Sequence, residues 1–373
     1  MQTEINAAKR VVIKVGSSLL ISDNALDTQW LAGLAEDIKV ASSRGQQIMV
    51  VTSGAVALGS THSGLERQTL TLEQKQAAAA IGQIALTQGW QDSLAGAGLK
   101  AGQILLTIGD TEQRRRYLNA RRTLQALLDM GIVPVINEND TVATQELRYG
   151  DNDRLAARVA SMMSADCLIL LSDVDGFYTA APDIDKNAEL IREVTEVNDD
   201  LLAMAGGAGS SVGSGGMVTK LQAAQISMQA GCHMILSDGR GYRPLSRLHE
   251  SDRATLFRAT QNPLAARKNW IAGTLQTAGQ LHIDAGAVTA LRDGKSLLPI
   301  GVKNVSGNFE RGDCVQIMDF DNNEIARGLT AYAVADATRI IGRASNEIAN
   351  LLGFNGRKEI VHRDDLVMNQ EGE

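Results

Sequence analysis

Five clusters of hydroxyl, amide and charged residues stand out because each follows, or pairs with a segment that follows, a short aliphatic run. Lys14-Val15-Gly16-Ser17-Ser18 puts an ammonium beside a glycine and two hydroxyls. Such a group can hold a polyphosphate, since glycine lets backbone N–H groups approach oxygens while the ammonium balances charge; it equally suits a lysine lying along the rim of a sheet. Thr52-Ser53-Gly54-Ala55 can cap a helix or bind a small anion. Asn137-Glu138-Asn139-Asp140 directly follows Val133 to Ile136, and amides and carboxylates taken out of water need partners. That run offers recognition of an ammonium group or a metal, or else is an ordinary polar loop. Gly150-Asp151-Asn152-Asp153 opens a helical pattern, where acids cap the helix or position lysines and magnesium beside a phosphate. The fifth cluster joins Ser172-Asp173 to Gly213-Ser214-Gly215-Gly216-Met217-Val218-Thr219-Lys220, a glycine-rich turn that feeds a helix and makes an anion cradle.

Other chemistries fit less well. The glycine-rich turn has Val218 where a dinucleotide-binding GxGxxG motif ends in glycine. Gly294-Lys295-Ser296 has Thr289 where a P-loop begins with glycine. His62, His233, His249, His282 and His362 neighbour no nucleophile and lack metal-ligand spacing, so neither a hydrolase triad nor a metal centre is expected.

The elements that must position these clusters can be read from periodicity. Aliphatic strands are expected at 11–15, 48–51, 103–107, 132–136, 167–171 and 233–236, alternating with helices at about 27–45, 72–94, 111–130 (capped by Asp110), 153–163 and 217–230. That alternation predicts an α/β fold, a mainly parallel sheet between two helical layers, with ligands beyond the carboxyl ends of the strands. After about Leu264 the pattern changes to short β-type runs, so a β-rich second domain is expected. The expected boundaries are 1–260 for the α/β domain, 261–277 for a linker, 278–356 for the β-rich domain and 357–373 for a polar tail.

Composition bounds the remaining choices. The 373 residues are 44% hydrophobic and carry a net charge of −7, enough for two packed cores and unfavourable for nonspecific nucleic-acid binding. No run approaches the ~18–20 apolar residues of a membrane helix, and Met1 to Arg10 is polar, so a cytoplasmic protein without membrane contact is expected. Cys167, Cys232 and Cys314 lie far apart in apolar segments, which suits reduced, buried thiols.

Taken in order, these clusters resemble the glutamate 5-kinase (γ-glutamyl kinase) family, an amino acid kinase fold with an appended PUA domain. The similarity extends over essentially the whole chain, and the Asn-Glu-Asn-Asp and Gly-Asp-Asn-Asp stretches are its most specific part. It implies ATP and Mg2+ as cofactors, L-glutamate as substrate, γ-glutamyl phosphate as product on the way to proline, proline as an inhibitor and a homo-oligomer. The catalytic set it implies is Lys14 and Lys220, which neutralise the phosphoryl group, with Asp153 holding them. Ser53, Asp140 and Asn152 match glutamate-binding positions. Lys14, Ser172, Asp173 and Ser214-Gly215-Gly216-Met217-Val218-Thr219-Lys220 match nucleotide-binding positions. Two departures are visible: Ser214 stands where the family often has Thr, and Ala181 replaces the usual Asp of Ala-Asp-Pro. The alternatives are a related kinase acting on aspartate, N-acetylglutamate, carbamate or a nucleotide, or RNA binding through the PUA-like domain. Gly279 to Phe354 holds seven basic and nine acidic side chains, which argues against the RNA reading.

Overall fold

The computed structural model describes the chain apart from residues 67–68, 144–150, 206–213, 252, 275 and 370–373, with no side chain described at 151, 214, 215, 270, 273 and 274. Two compact units, Met1–Pro263 and Leu264–Glu373, make up the structure.

In the first unit the aliphatic runs become strands β1 (Arg10–Val15), β2 (Gln47–Val51), β3 (Lys100–Leu106), β4 (Ile132–Glu138), β5 (Cys167–Ser172), β6 (Glu193–Val194), β7 (His233–Asp238) and β8 (Ala254–Phe257). They form one eight-stranded sheet in the order β6-β8-β7-β5-β1-β2-β4-β3. Every pair is parallel except β7 with β8. The chain leaves β1 towards β2 and returns much later to β5 on the other side, so the crossover reverses beside β1. Open parallel sheets bind ligands at such a reversal.

Residue parity decides which layer each strand residue serves. Val11, Ile13 and Val15 pack with Ile48, Val50, Ile169 and Leu171 against helices α1 (Thr28–Ser43), α2 (Ala55–His62) and α3 (Leu72–Gly96). Val12 packs with Met49, Val51, Leu168 and Leu170 on the opposite face. That face is covered by α5 (Arg114–Asp129), α6 (Asp151–Met163) and α7 (Ser214–Gln229), preceded by the short α4 (Ile108–Glu112). Successive strand side chains point to opposite faces, so Lys14 shares the face of Val12 and is directed to the α6–α7 layer.

Two local expectations change. The helix expected from Thr111 to Met130 starts earlier, because Thr107 caps α4 and Asp110 completes its capping box from the third helical position, and it is interrupted by the extended backbone of Gln113, which separates α4 from α5. The apolar stretch after Gly54 is helix α2, which crosses α3 at glycine. A Cβ on Gly59 would lie 1.7 Å from the Ala78 carbonyl oxygen, and one on Gly82 would lie 1.9 Å from that of Ala55. Only backbone-to-backbone approach fits there.

In the second unit, β9 (Thr277–Ile283), β10 (Val302–Gly307), β11 (Cys314–Met318), β12 (Glu324–Thr330) and β13 (Val361–Met368) form a sheet in the order β10-β9-β11-β12-β13. The expected linker holds helix α8 (Pro263–Thr274), whose Ile271 is buried with Cys314 and Leu329. The expected polar tail supplies β13, paired antiparallel to β12. Its Val361 and Leu366 enter the core, and its buried Asp365 is neutralised by Arg267 of α8 at 2.7 Å. Polar composition hid this strand, because His362, Arg363 and Asp364 occupy its wetter positions. Phe309, on the turn after β10, is 1% exposed in the same core. The three cysteines are buried, and none forms a disulfide.

The α2–α3 crossing generates a stability prediction. Gly82→Val should lower chemical-denaturation stability by roughly 1–3 kcal/mol or more through overpacking. Gly96→Ala, in the last turn of the same helix with nothing within 4 Å of the added carbon, should be neutral or stabilising.

Candidate active site

Asp153 sits in the first turn of α6, on the stripe that continues through Ala156, Ala157 and Ala160. Lys220 lies near the start of α7 on the stripe of Ala223, Ala224 and Ser227. Small residues on both stripes let the two helices pack closely, and that packing draws Lys220 to Asp153. Lys14 arrives from the end of β1 by strand parity. The carboxylate of Asp153 is 2.6 Å from Lys14 Nζ through Oδ1 and 3.2 Å from Lys220 Nζ through Oδ2. Asp153 is 1% exposed and Lys14 8%.

Burial alone would push the Asp153 carboxyl up, but the charges and hydrogen bonds of Lys14 and Lys220 outweigh it and hold it below the usual carboxylate value of 3.8. Two ammonium groups around one carboxylate leave a net single positive charge at a largely dry strand end. Thr219 Oγ, in a residue matched by resemblance to the nucleotide set, lies 3.2 Å from the same Oδ2 and 2.9 Å from the Gly216 carbonyl, and its one proton is shared between these two acceptors.

The neighbouring residue of the same helical turn faces a different strand pair. Asn152 Nδ2 lies 2.8 Å from the Thr52 carbonyl, 2.8 Å from Ser53 Oγ and 3.1 Å from Asn137 Oδ1, and its two protons are shared among these three acceptors. Its own Oδ1 is buried and accepts no hydrogen bond from the described residues. Ser53 Oγ accepts from Asn152, so its hydroxyl proton is left to donate elsewhere. Gly54 follows with φ of +107°, a left-handed conformation that starts α2 and suits glycine. Asp140 is half-buried, two residues beyond β4.

The structure therefore brings together Lys14, Lys220 and Asp153 in one group, and Ser53 and Asn152 in a second joined to it through α6. Ser172 is buried at the end of β5 and donates to the exposed Asp173 at 3.0 Å. The register pairs Lys14 with Leu170 and Val15 with Leu171, so these two residues lie just beyond the strand adjoining β1. Gly216 accepts from Lys220 Nζ at 3.4 Å through its carbonyl, and Met217 and Val218 pack in the α7 layer. Gly150 and Gly213 lie outside the described residues, as do the side chains of Asp151 and Ser214 and the environment of Gly215.

Sequence reasoning passed over Asn137 as an individual residue and Gln83 altogether. Asn137 Nδ2 donates to Gln83 Oε1 at 2.7 Å, and Gln83 Nε2 donates to Thr87 Oγ at 3.0 Å. The available signal was a polar residue on an apolar stripe: Gln83 falls at helical spacing among Ala79, Leu86 and Trp90, all buried.

Residues 9–238 match the amino acid kinase family and residues 279–352 the PUA domain. Glutamate 5-kinase 1 of Mesorhizobium japonicum is 56% identical over 98% of this chain and 97% of its own length. Glutamate 5-kinases of Rhizobium etli and Brucella ovis are 54% and 52% identical, covering 97% and 99% of this chain and 94% and 98% of theirs. Among solved structures, UMP kinase from Bacillus anthracis aligns with 68% of this chain and 97% of its own at 15% identity and a TM-score of 0.47. Similarity that runs through both units and almost the full length of these relatives makes the family plain: the chain belongs to the amino acid kinases, in the glutamate 5-kinase branch that carries a PUA domain.

Proposed function

We propose that this chain transfers the terminal phosphoryl group of ATP to the γ-carboxylate of L-glutamate, giving γ-glutamyl phosphate and ADP, the first committed step towards proline. The observation that carries this reading is the adjacency of two chemically different half-sites. Asp153 gathers two ammonium groups, and Asn152 beside it gathers amide and hydroxyl groups. The first half suits a phosphate and the second a zwitterionic amino acid.

The γ-carboxylate has a reference pKa near ~4.3 and is ionised at neutral pH, so no general base is needed. The barrier is electrostatic, because an anion must approach an anion. As an oxygen of the γ-carboxylate attacks the terminal phosphorus, the bond to the bridging oxygen breaks and ADP leaves with the electron pair. Lys14 and Lys220 meet the charge that spreads over the transferring group. Asp153 keeps them pointed at one place and limits their mutual repulsion. In the other half, the Ser53 hydroxyl and the start of α2 supply donors for a substrate carboxylate, while Asn152 Oδ1 and Asp140 supply acceptors for its ammonium. Held this way, the reactants are oriented before reaction, which lowers the entropic part of the barrier.

The nucleotide phosphates fit the lysine pair, with Ser172, Asp173 and the Ser214–Lys220 segment as the matching nucleotide positions. Among the described residues there is no group of three or more His, Cys, Asp or Glu able to cage a metal. The phosphate half offers the carboxylate of Asp153, already engaged by two ammonium groups; Mg2+ entering with the nucleotide would supply further charge neutralisation there. Proline inhibition, homo-oligomer formation and a cytoplasmic location belong to the same reading. Among the described residues no helix is long and apolar enough to cross a membrane.

Incubation with ATP, Mg2+, hydroxylamine and a panel of carboxylates should yield the hydroxamate most strongly from glutamate. Preference for aspartate or N-acetylglutamate would overturn the substrate assignment. Lys220→Ala should depress kcat by about 10²–10³-fold with little change in the glutamate KM, as expected for a group that acts on transition-state charge. Asn152→Ala should instead raise the glutamate KM by roughly tenfold. The depressed pKa of Asp153 sets the sign of an acid effect. Its charged form favours the folded state, so that contribution is whole above the unfolded value, 3.8, and lost as pH falls through the lower folded value. Denaturation curves of the unsubstituted chain should therefore lose an acid-labile increment below about pH 4 that Asp153→Asn lacks.

A further inference from the structure

Gln83 projects from the middle of α3 to Asn137, which adjoins the amide and hydroxyl half of the site. The close crossing at Gly59 and Gly82 places it there, since Gly82, its immediate neighbour, rests on the Ala55 carbonyl of the first turn of α2. From that position Gln83 links to Asn137, and Asn137 links to Asn152.

The chain of hydrogen bonds has a definite direction. The single proton of Thr87 Oγ is given to the Gln83 backbone carbonyl at 2.8 Å. Thr87 can therefore only accept from the Gln83 side chain, which turns Nε2 towards it and Oε1 towards Asn137. Asn137 must then donate to Gln83 and turn its own Oδ1 to Asn152. Asn152 answers with Nδ2, consistent with the Thr52 carbonyl, which can only accept, on the same nitrogen. The outcome is that Oδ1 of Asn152 is the atom left without a donor among the described residues. Were Gln83 unable to accept, Asn137 could turn over, and the amide of Asn152 would lose one of the groups that hold it.

We infer that Gln83 is a positioning residue for the amino-acid substrate: by fixing Asn137 it holds the Asn152 amide, whose orientation the Thr52 carbonyl also requires, in place against the ligand, while Thr87 fixes Gln83. The inference rests on the glutamate reading above and extends it to residues of α3.

The test compares the unsubstituted chain with Gln83→Met and Gln83→Glu in the full-length protein, measuring kcat, the KM values for glutamate and for ATP, and thermal unfolding. Gln83→Met keeps the length of the side chain but cannot accept from Asn137 as an amide does. It should raise the glutamate KM by roughly five- to tenfold, the scale of one lost hydrogen bond, and leave the ATP KM and the unfolding temperature nearly unchanged. Gln83→Glu retains the acceptor and should keep the glutamate KM within about twofold of the unsubstituted chain. A Gln83→Met protein with an unchanged glutamate KM, or one whose kcat and unfolding temperature fall while both KM values rise, with no rescue by Gln83→Glu, would overturn the inference. If the unsubstituted chain turned over no glutamate, the substrate reading would fall and this inference with it; turnover by that chain beside an unaffected Gln83→Met protein overturns this inference alone.

Discussion

A carboxylate buried between two ammonium groups is the constraint around which the first unit is organised. Asp153 has almost no solvent, so its charge is tolerable only while Lys14 and Lys220 stay within a few ångströms. Neither lysine could be left there alone without a similar penalty. Each partner is therefore held by a separate device: Lys14 by strand parity in β1, Asp153 by the apolar stripe of α6, and Lys220 by the stripe of α7. The surplus positive charge is a property of the trio, and phosphoryl-transfer chemistry needs such charge in place before the reaction begins.

The second constraint is that α6 serves two functions from one turn. Adjacent residues of a helix point about 100° apart, so Asp153 can face the lysines while Asn152 faces Thr52, Ser53 and Asn137. The spacing between the lysine–carboxylate group and the amide–hydroxyl group is thus set by helix geometry instead of by loop conformation. The glycine contact between α2 and α3 does the equivalent on the far side. It brings the start of α2 and the polar side chain of Gln83 to the same strand ends, at the cost of tolerating no side chain at either glycine.

The second unit illustrates how composition can mislead. A segment with His362, Arg363, Asp364 and Asp365 in succession looks solvated, yet it forms a strand whose Val361 and Leu366 enter the core while Asp365 meets Arg267. Phe309 is covered for the complementary reason: a large aromatic at a turn is buried once the sheet closes over it. In both cases the missing information was which side of the element the rest of the unit would cover.

The division between sequence and tertiary structure follows from range. Aliphatic runs of strand length, helical stripes and the polar groups that end each strand are local patterns, and they sufficed to indicate a parallel sheet with its chemistry at the carboxyl ends of the strands. Residue type alone left Lys14 between a phosphate ligand and a lysine on a sheet rim, and Asp153 between a helix cap and a partner for lysines; the family resemblance, not a local pattern, singled out the trio. What no local pattern contains is which strand end meets which. The strand order beside β1, the convergence of two lysines 206 positions apart on one carboxylate, the turning of Asn152 away from that carboxylate, and the entry of Gln83 through a glycine crossing were decided by packing between distant elements. Short-range spacing determines the face on which a side chain lies; only the closed sheet and its helical layers determine what stands opposite that face.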